Sequence, residues 1–343
     1  MLRAIVCAFS VFATFCLATG ASAEDRAPAA PVLVVHGGAG AMAPGRYTAA
    51  EELAYRDALT AALNAGGAIL EDGGSALDAV ETAIRLLEDS PLFNAGRGAV
   101  LTREGDAELD ASIMDGANAN AGAVAGVTSV KNPITLARRV MENSEHVMFA
   151  RDGAEKFAKA QRLEREKASY FKTDARKRDY EAARKKEKDV EKQGAHGSPP
   201  EKFGTVGAVA LDADGNLAAG TSTGGMLMKR FGRVGDSPVV GAGTFADNRS
   251  CAVSSTGHGE FFIRLTVARD ICAQMEYGGR TLKEAARDVI HNRLEGLGGS
   301  GGIIAVDPSG ETALTFNTAG MFRGVKRAGA APEVAIYGER LVD

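Results

Sequence analysis

Residues 201–225 read EKFGTVGAVALDADGNLAAGTSTGG, and Gly204-Thr205 stands where a densely charged stretch gives way to an apolar one. Thr205 to Leu211 has the composition of a buried strand. Asp212-Ala-Asp-Gly-Asn216 is a turn built from residues that tolerate positive φ, and Leu217 to Ser222 returns as a second strand. The stretch therefore predicts a β-hairpin. Its chemistry depends on one bond. A threonine at the start of a strand is ordinary, but a chain parted just before Thr205 would place a free α-amine beside the Thr205 hydroxyl. A nucleophile and its base then occupy one residue. Gly204 supports a cut, because glycine lets a scissile peptide be held in a backbone geometry closed to other residues.

Upstream of Gly204, residues 161–202 are about half charged, with both signs mixed, and end in Gly197-Ser198-Pro199-Pro200. That composition predicts an exposed, flexible linker. The chain as a whole has 343 residues, 45% of them apolar, enough to bury a sizeable core. Its net charge of -4 gives no reason to expect nucleic-acid binding. The first 23 residues combine Arg3, an apolar run over 4–18 and Ala21-Ser22-Ala23, the pattern of a secretory leader cut after Ala23. The apolar run is short for a spanning helix. The expectation is an exported protein, in a bacterial periplasm, with no membrane attachment once the leader is gone. Cys7 and Cys16 leave with it. Cys251 and Cys272 remain, and spacing alone leaves open whether they pair in an oxidising compartment or stay as buried thiols.

Elsewhere, Pro31 to His36 reads as a strand ended by Gly37-Gly38-Ala39-Gly40, and Ala49 to Leu70 as a helix. A second helix, Ser75 to Leu87, is capped by Ser75. AVLT (99–102) and ELDASIMDG (108–116) are strand-like, and Pro133 to Met141 is helical. Gly302–Val306 and Thr312–Phe316 form another hairpin, with helices at Glu260–Glu276 and Leu282–Leu294 before it. Strands at both ends with helices between predict a layered domain of strands and helices that spans the charged stretch.

Three further constellations surround the hairpin in function. Thr223, in Gly220-Thr-Ser-Thr-Gly-Gly225, falls across the hairpin from Thr205, where it can orient the hydroxyl. Gly232-Arg233-Val-Gly-Asp236 places a guanidinium and a carboxylate three apart in a glycine-rich loop. That is either a surface ion pair or a zwitterion clamp, in which Arg233 takes an α-carboxylate and Asp236 an α-ammonium. Ser254-Ser-Thr256-Gly257-His258-Gly259-Glu260 opens a helix, and the Thr256 hydroxyl with the Gly257 amide can stabilise an oxyanion. His258 and Glu260 lack a third ligand at metal-binding spacing, and His36 reads as structural. Gly296-Leu-Gly-Gly-Ser-Gly301 fits GxGxxG, but it follows a helix and precedes a strand, the reverse of a dinucleotide site.

Taken together, HGGAG (36–40), PLFNAGRGAV (91–100), ELDASIMDG (108–116), GTVGAVALDADGNLAAGTSTGG (204–225), GRVGDSPVVGAGTFAD (232–247) and STGHGE (255–260) resemble the plant-type asparaginases, or isoaspartyl peptidases, of the N-terminal-nucleophile (Ntn) hydrolase superfamily. The resemblance implies an α+β fold, a four-layer αββα sandwich, made as a precursor that cuts itself at Gly204-Thr205. The products would be an α subunit over 24–204 and a β subunit over 205–343. It implies Thr205 as nucleophile, Thr223 as its support, Thr256 and Gly257 as the oxyanion hole and Asn94 near the reacting centre. Arg233 and Asp236, with Gly225, Thr256, Gly257 and Gly259, would bind the substrate, and Gly225 leaves room beside the clamp. The implied reaction is hydrolysis of β-aspartyl dipeptides and L-asparagine, small molecules, with no cofactor for catalysis. The resemblance further implies a dimer of αβ units, and a structural sodium ion on backbone carbonyls of Leu87, Glu88, Ser90, Phe93, Ala95 and Arg97. Two alternatives stand beside it: a glycosylasparaginase, and a non-catalytic exported amino-acid-binding protein in which Thr205 stays internal.

Overall fold

Strands apolar on both faces need cover on both sides, and the architecture supplies it. The computed structural model describes residues 29–192, 204–339 and 341. The expected leader, its cut after Ala23 and residues 193–203 of the charged stretch lie outside the described residues. The described strands are β1 (Val32–Gly40), β2 (Leu109–Asp115), β3 (Ala121–Val127), β4 (Met148–Ala150), β5 (Val206–Leu211), β6 (Leu217–Thr223), β7 (Thr244–Ala246), β8 (Ala252–Gly257), β9 (Gly301–Val306), β10 (Thr312–Phe316), β11 (Gly320–Arg327) and β12 (Glu333–Ala335). The described α-helices are α1 (Ala49–Glu71), α2 (Ala76–Asp89), α3 (Pro133–Asn143), α4 (Arg151–Ala160), α5 (Ala168–Phe171), α6 (Asp174–Lys192), α7 (Gly259–Leu265), α8 (Val267–Gly278) and α9 (Leu282–Arg287), the last continuing as a π-helix over Asp288–Leu294.

The strands form a large sheet in the order β12-β11-β1-β5-β6-β2-β3-β4 and a small one in the order β10-β9-β8-β7. Neighbours are antiparallel except β3 and β4. Alternation along each strand divides its side chains between two layers. From β1, Leu33 and Val35 pack with Leu59, Leu63, Val80 and Ile84 of α1 and α2. Val32 and Val34 face the other way and meet Ile304 and Val306 of the small sheet. The small sheet's outer face, with Val253, Ile303 and Ala305, is covered by Ile271 of α8 and Leu282 of α9. Each such buried aliphatic side chain contributes about 1.5–3 kcal/mol, so three apolar layers hold the four structural ones together. The expected αββα sandwich is the observed fold.

Local chemistry fixes the helix starts. Thr48 and Glu51 form a capping box on α1, and the Ser75 hydroxyl accepts from the Asp78 amide at 3.1 Å on α2. Several expectations are corrected. β1 does not end at His36 but runs through the glycines to Gly40, with a register shift between His36 and Gly38. Ala99 to Thr102 is buried but not a strand. The single helix expected over 260–276 breaks at Thr266, whose φ is 48°. The charged stretch is not a flexible linker over its described length. α6 is docked through Arg176, which donates to the carbonyls of Gly98 (2.5 Å) and Leu92 (3.2 Å), and through Tyr180, which donates to that of Arg103 (3.0 Å). The buried Phe171 anchors α5 beside it.

Candidate active site

The β5–β6 register pairs Val206 with Ser222, so Thr205 falls opposite Thr223. The Thr205 hydroxyl donates to the Thr223 Oγ1 at 3.0 Å, and the Gly225 amide donates to the same oxygen at 3.0 Å. Thr205 is 8% exposed, open to a small cavity and otherwise enclosed. Its carbonyl oxygen lies 3.0 Å from His36 Nδ1. Burial pushes the His36 imidazole down to about 3, despite that hydrogen bond, so the ring is neutral. The glycines of HGGAG matter one residue further on. A Cβ on Gly38, whose φ is 114°, would collide with the Gly204 Cα. Two backbones thus pass here without a side chain between them, at the bond before Thr205.

The cavity is lined by Thr205, Thr223, Gly225, Arg233, Asp236 and Gly257 among others. Six residues separated by up to 52 positions therefore share one concave surface. Arg233 and Asp236 face it without bonding each other. Arg233 donates from Nε and Nη2 to the two carboxylate oxygens of Glu260, at 2.9 and 3.0 Å. Asp236 is almost wholly buried and its Oδ2 has no hydrogen-bond partner among the described residues. Burial raises its carboxyl to about 7, with Arg233 acting in the opposite sense. Gly259 stands against both side chains. Thr256 is buried, and its hydroxyl oxygen accepts from the Ala39 amide at 3.3 Å. Asn94 lies behind the wall: its amide donates to the Gly225 carbonyl at 2.8 Å and its Oδ1 accepts from the Val100 amide at 2.9 Å.

The sequence reading missed a buried pair beside these residues. Asp110 of β2 lies opposite Thr223 on the far side of β6. Its Oδ1 accepts from the Gly126 amide at 2.8 Å, and its Oδ2 lies 4.0 Å from the Lys229 ammonium. Lys229 also donates to the Glu108 carbonyl at 2.9 Å. Burial raises the Asp110 carboxyl and lowers Lys229, each partly offset by the other's charge. The signal in sequence was weak: Asp110 stands in ELDASIM with Glu108 two residues before it, and Lys229 ends GGMLMK with Arg230 directly after it. Glu260 was noticed only as a weak metal ligand, and it is instead the partner of Arg233.

A carboxylate with one unpartnered oxygen, a guanidinium, and a hydroxyl at a strand start thus face one small cavity. A family model described as asparaginase matches residues 29–336. The chain belongs to the asparaginase family. Within it, the chain is 53% identical to the isoaspartyl peptidase of Escherichia coli (strain K12) over 310 residues, covering 90% of this chain and 97% of that one. It is 45% identical to a probable isoaspartyl peptidase/L-asparaginase 2 of Arabidopsis thaliana, covering 89% and 98%. It is 44% identical to an isoaspartyl peptidase/L-asparaginase of Rattus norvegicus, covering 87% and 89%. Asparaginase-family membership makes the chain an Ntn-superfamily hydrolase, in keeping with its layered fold.

Proposed function

We propose that the chain cuts itself between Gly204 and Thr205, and that the freed Thr205 then hydrolyses the β-amide of isoaspartyl dipeptides and of L-asparagine. The observation that carries this reading is the 3.0 Å hydrogen bond between the Thr205 and Thr223 hydroxyls, at the edge of a cavity that also holds Arg233 and Asp236. In the first reaction the Thr205 hydroxyl attacks the Gly204 carbonyl, the peptide nitrogen becomes the α-amine, and water cleaves the ester. An α-amine titrates at about 7.7–8.0, so a working fraction is neutral near pH 7.

In the second reaction that amine takes the hydroxyl proton, directly or through water, as Oγ1 attacks the side-chain carbonyl of the substrate. The oxyanion forms against Gly257 and Thr256, and the proton passes to the leaving amine or ammonia. Water then releases L-aspartate and regenerates Thr205. Arg233 takes the substrate α-carboxylate with the guanidinium N–H groups that Glu260 leaves over, and ionised Asp236 takes the α-ammonium. Both are groups on one carbon, so the clamp selects a free amino-acid end and rejects internal peptide bonds.

Two further readings belong to the proposal. The loop from Leu87 to Arg97 would hold a sodium ion on the backbone carbonyls of Leu87, Glu88, Ser90, Phe93, Ala95 and Arg97. Its tight curl suits that role: a Cβ on Gly96 would fill the space beside the Glu88 carbonyl, and the Arg97 guanidinium is turned over the Tyr170 ring, 5.4 Å from its centre. The ion would be structural. Export to an oxidising compartment is supported by the Cys251–Cys272 disulfide, with Cα atoms 5.4 Å apart.

Intact-mass measurement of wild type and Thr205→Ala, with assays on a β-aspartyl dipeptide, tests the central claim. Wild type splits into two fragments and releases aspartate, while Thr205→Ala does neither. An intact, inactive wild type that still binds L-aspartate would leave a binding protein instead. Turnover confined to GlcNAc-asparagine would point to a glycosylasparaginase.

A further inference from the structure

Four strands of the large sheet carry one row of matched residues: His36 lies opposite Gly207, Gly207 opposite Thr221, and Thr221 opposite Ser112. Two positions along, the matched row is Val34, Val209, Ala219 and Met114, wholly apolar. Two positions the other way lie Thr205, Thr223 and Asp110. The polar row therefore separates the hydrophobic interior from the reacting end of the sheet. On the small sheet, Thr244 lies opposite Ser254, and two positions along the matched pair is Ala246 and Ala252.

These residues form one continuous chain of hydrogen bonds that crosses between the sheets at every step. His36 Nε2 lies 3.0 Å from Ser254 Oγ, which lies 2.7 Å from Thr221 Oγ1. Thr221 lies 2.6 Å from Thr244 Oγ1, and Thr244 2.8 Å from Ser112 Oγ. Ser112 is also 2.5 Å from the Ser237 carbonyl. All five side chains are fully buried. The chain must pass over β5, and Gly207 makes that possible, since a Cβ there would collide with both Ser254 Oγ and His36 Nε2.

One constraint sets the direction of donation along the row. The Thr205 carbonyl can only accept, so His36 Nδ1 carries the hydrogen, and Nε2 of the neutral ring accepts from Ser254. Ser254 then accepts from Thr221, whose proton is shared with the Gly243 carbonyl 3.1 Å away; Thr221 accepts from Thr244, and Thr244 from Ser112, whose proton lies between Thr244 and the Ser237 carbonyl. Apolar rows already pack the two sheets, so adhesion does not require this one. Both of its ends meet the site: one at the backbone of Thr205, the other at the residue following Asp236.

We propose that this hydroxyl seam is a positioning device, in which His36, Ser254, Thr221, Thr244 and Ser112 fix the Thr205 backbone relative to the Asp236 loop so that nucleophile and clamp are held as one unit. The proposal rests on the roles given above to Thr205 and Asp236. Hydrogen-bonded chains of this kind behave as units, because loss of one member releases the rest.

The test uses cleaved, folded enzyme and two readouts: kcat on a β-aspartyl dipeptide, and the Kd of L-aspartate by calorimetry. Thr244→Val removes the central hydroxyl, and Thr244→Ser keeps it. The valine variant loses about tenfold in kcat and binds L-aspartate several-fold more weakly, while the serine variant stays within about twofold of wild type on both. Ser254→Ala and Ser112→Ala remove side chains separated by Thr221 and Thr244. If the seam is a unit, their double variant is no worse than the poorer single one. The proposal is overturned if Thr244→Val lowers thermal stability but keeps wild-type kcat and Kd, or if the two serine effects multiply. A wild type without turnover sinks the functional reading alone, and the seam is then decided by the L-aspartate affinities of the same variants.

Discussion

The hydroxyl oxygens of Thr205 and Thr223 stand 3.0 Å apart, and the Thr223 oxygen accepts from both Thr205 and the Gly225 amide. With both of those donors aimed at it, Thr223 fixes the direction of the Thr205 hydroxyl hydrogen. Thr223→Val keeps the strand shape and removes the acceptor. We expect kcat to fall by about 10²-fold with KM little changed, measured on a β-aspartyl dipeptide. Unaltered kcat would show that the hydroxyl pair does not orient the attack.

Arg233 meets Glu260 through a two-toothed contact that a lysine cannot reproduce. Arg233→Lys retains the charge but loses the fork. KM for L-asparagine and for β-aspartyl dipeptides should rise by about tenfold or more, with self-cleavage still complete on a denaturing gel. Wild-type KM in this variant would remove Arg233 from carboxylate recognition.

The Asp236 carboxyl, raised to about 7 by burial, sets a pH dependence. Its ordinary value in an unfolded chain is lower, so across the interval between the two the folded protein carries a proton that the unfolded chain has released. The substrate ammonium needs the ionised form, so KM should rise as pH falls below about 7. The Thr205 α-amine would act on kcat in the same direction, at about 7.7–8.0. KM profiles from pH 5.5 to 8.5 separate the two. A KM flat over that range would contradict the assignment of Asp236.

The Cys251–Cys272 bridge closes a loop of 21 positions between the start of β8 and α8. Loop-closure entropy makes it worth about 3 kcal/mol. The double variant Cys251→Ala/Cys272→Ala should lose stability by that amount and unfold at lower urea, while kcat of the folded enzyme is preserved. An unchanged urea midpoint would mean that the bridge adds nothing to stability.

The hairpin, and the residues Thr205, Thr223, Arg233 and Asp236 that meet at one cavity, could be read from sequence because their signals are local. Turn residues at 212–216 and hydroxyls at spacing 18 along a hairpin specify a pairing without knowledge of anything else. Glu260 was harder, since its partnership with Arg233 depends on how two loops meet. Asp110 and Lys229 were harder still: each has another charge beside it in sequence, Glu108 and Arg230, and only the fold brings the two within 4.0 Å of each other. α6 was misread because composition counts charges without regard to phase. Arg176, Tyr180, Ala183 and Glu187 recur at helical spacing and face one surface, whereas mixed charge alone predicts solvent exposure. The polar row through His36 escaped notice because it consists of one residue from each of several strands, a pattern transverse to the chain.

The strand order of the large sheet has a consequence for what a break before Thr205 can do. Read across the sheet, β12 and β11 come from after that bond, β1 from before it, β5 and β6 from after it, and β2, β3 and β4 from before it. The two pieces are interleaved like fingers of two hands, with three shared seams at β11–β1, β1–β5 and β6–β2. Parting them would tear open the centre of the sheet rather than peel away an edge. A cut there would therefore change one covalent bond inside an interleaved body, and neither piece alone carries all the strands of this sheet.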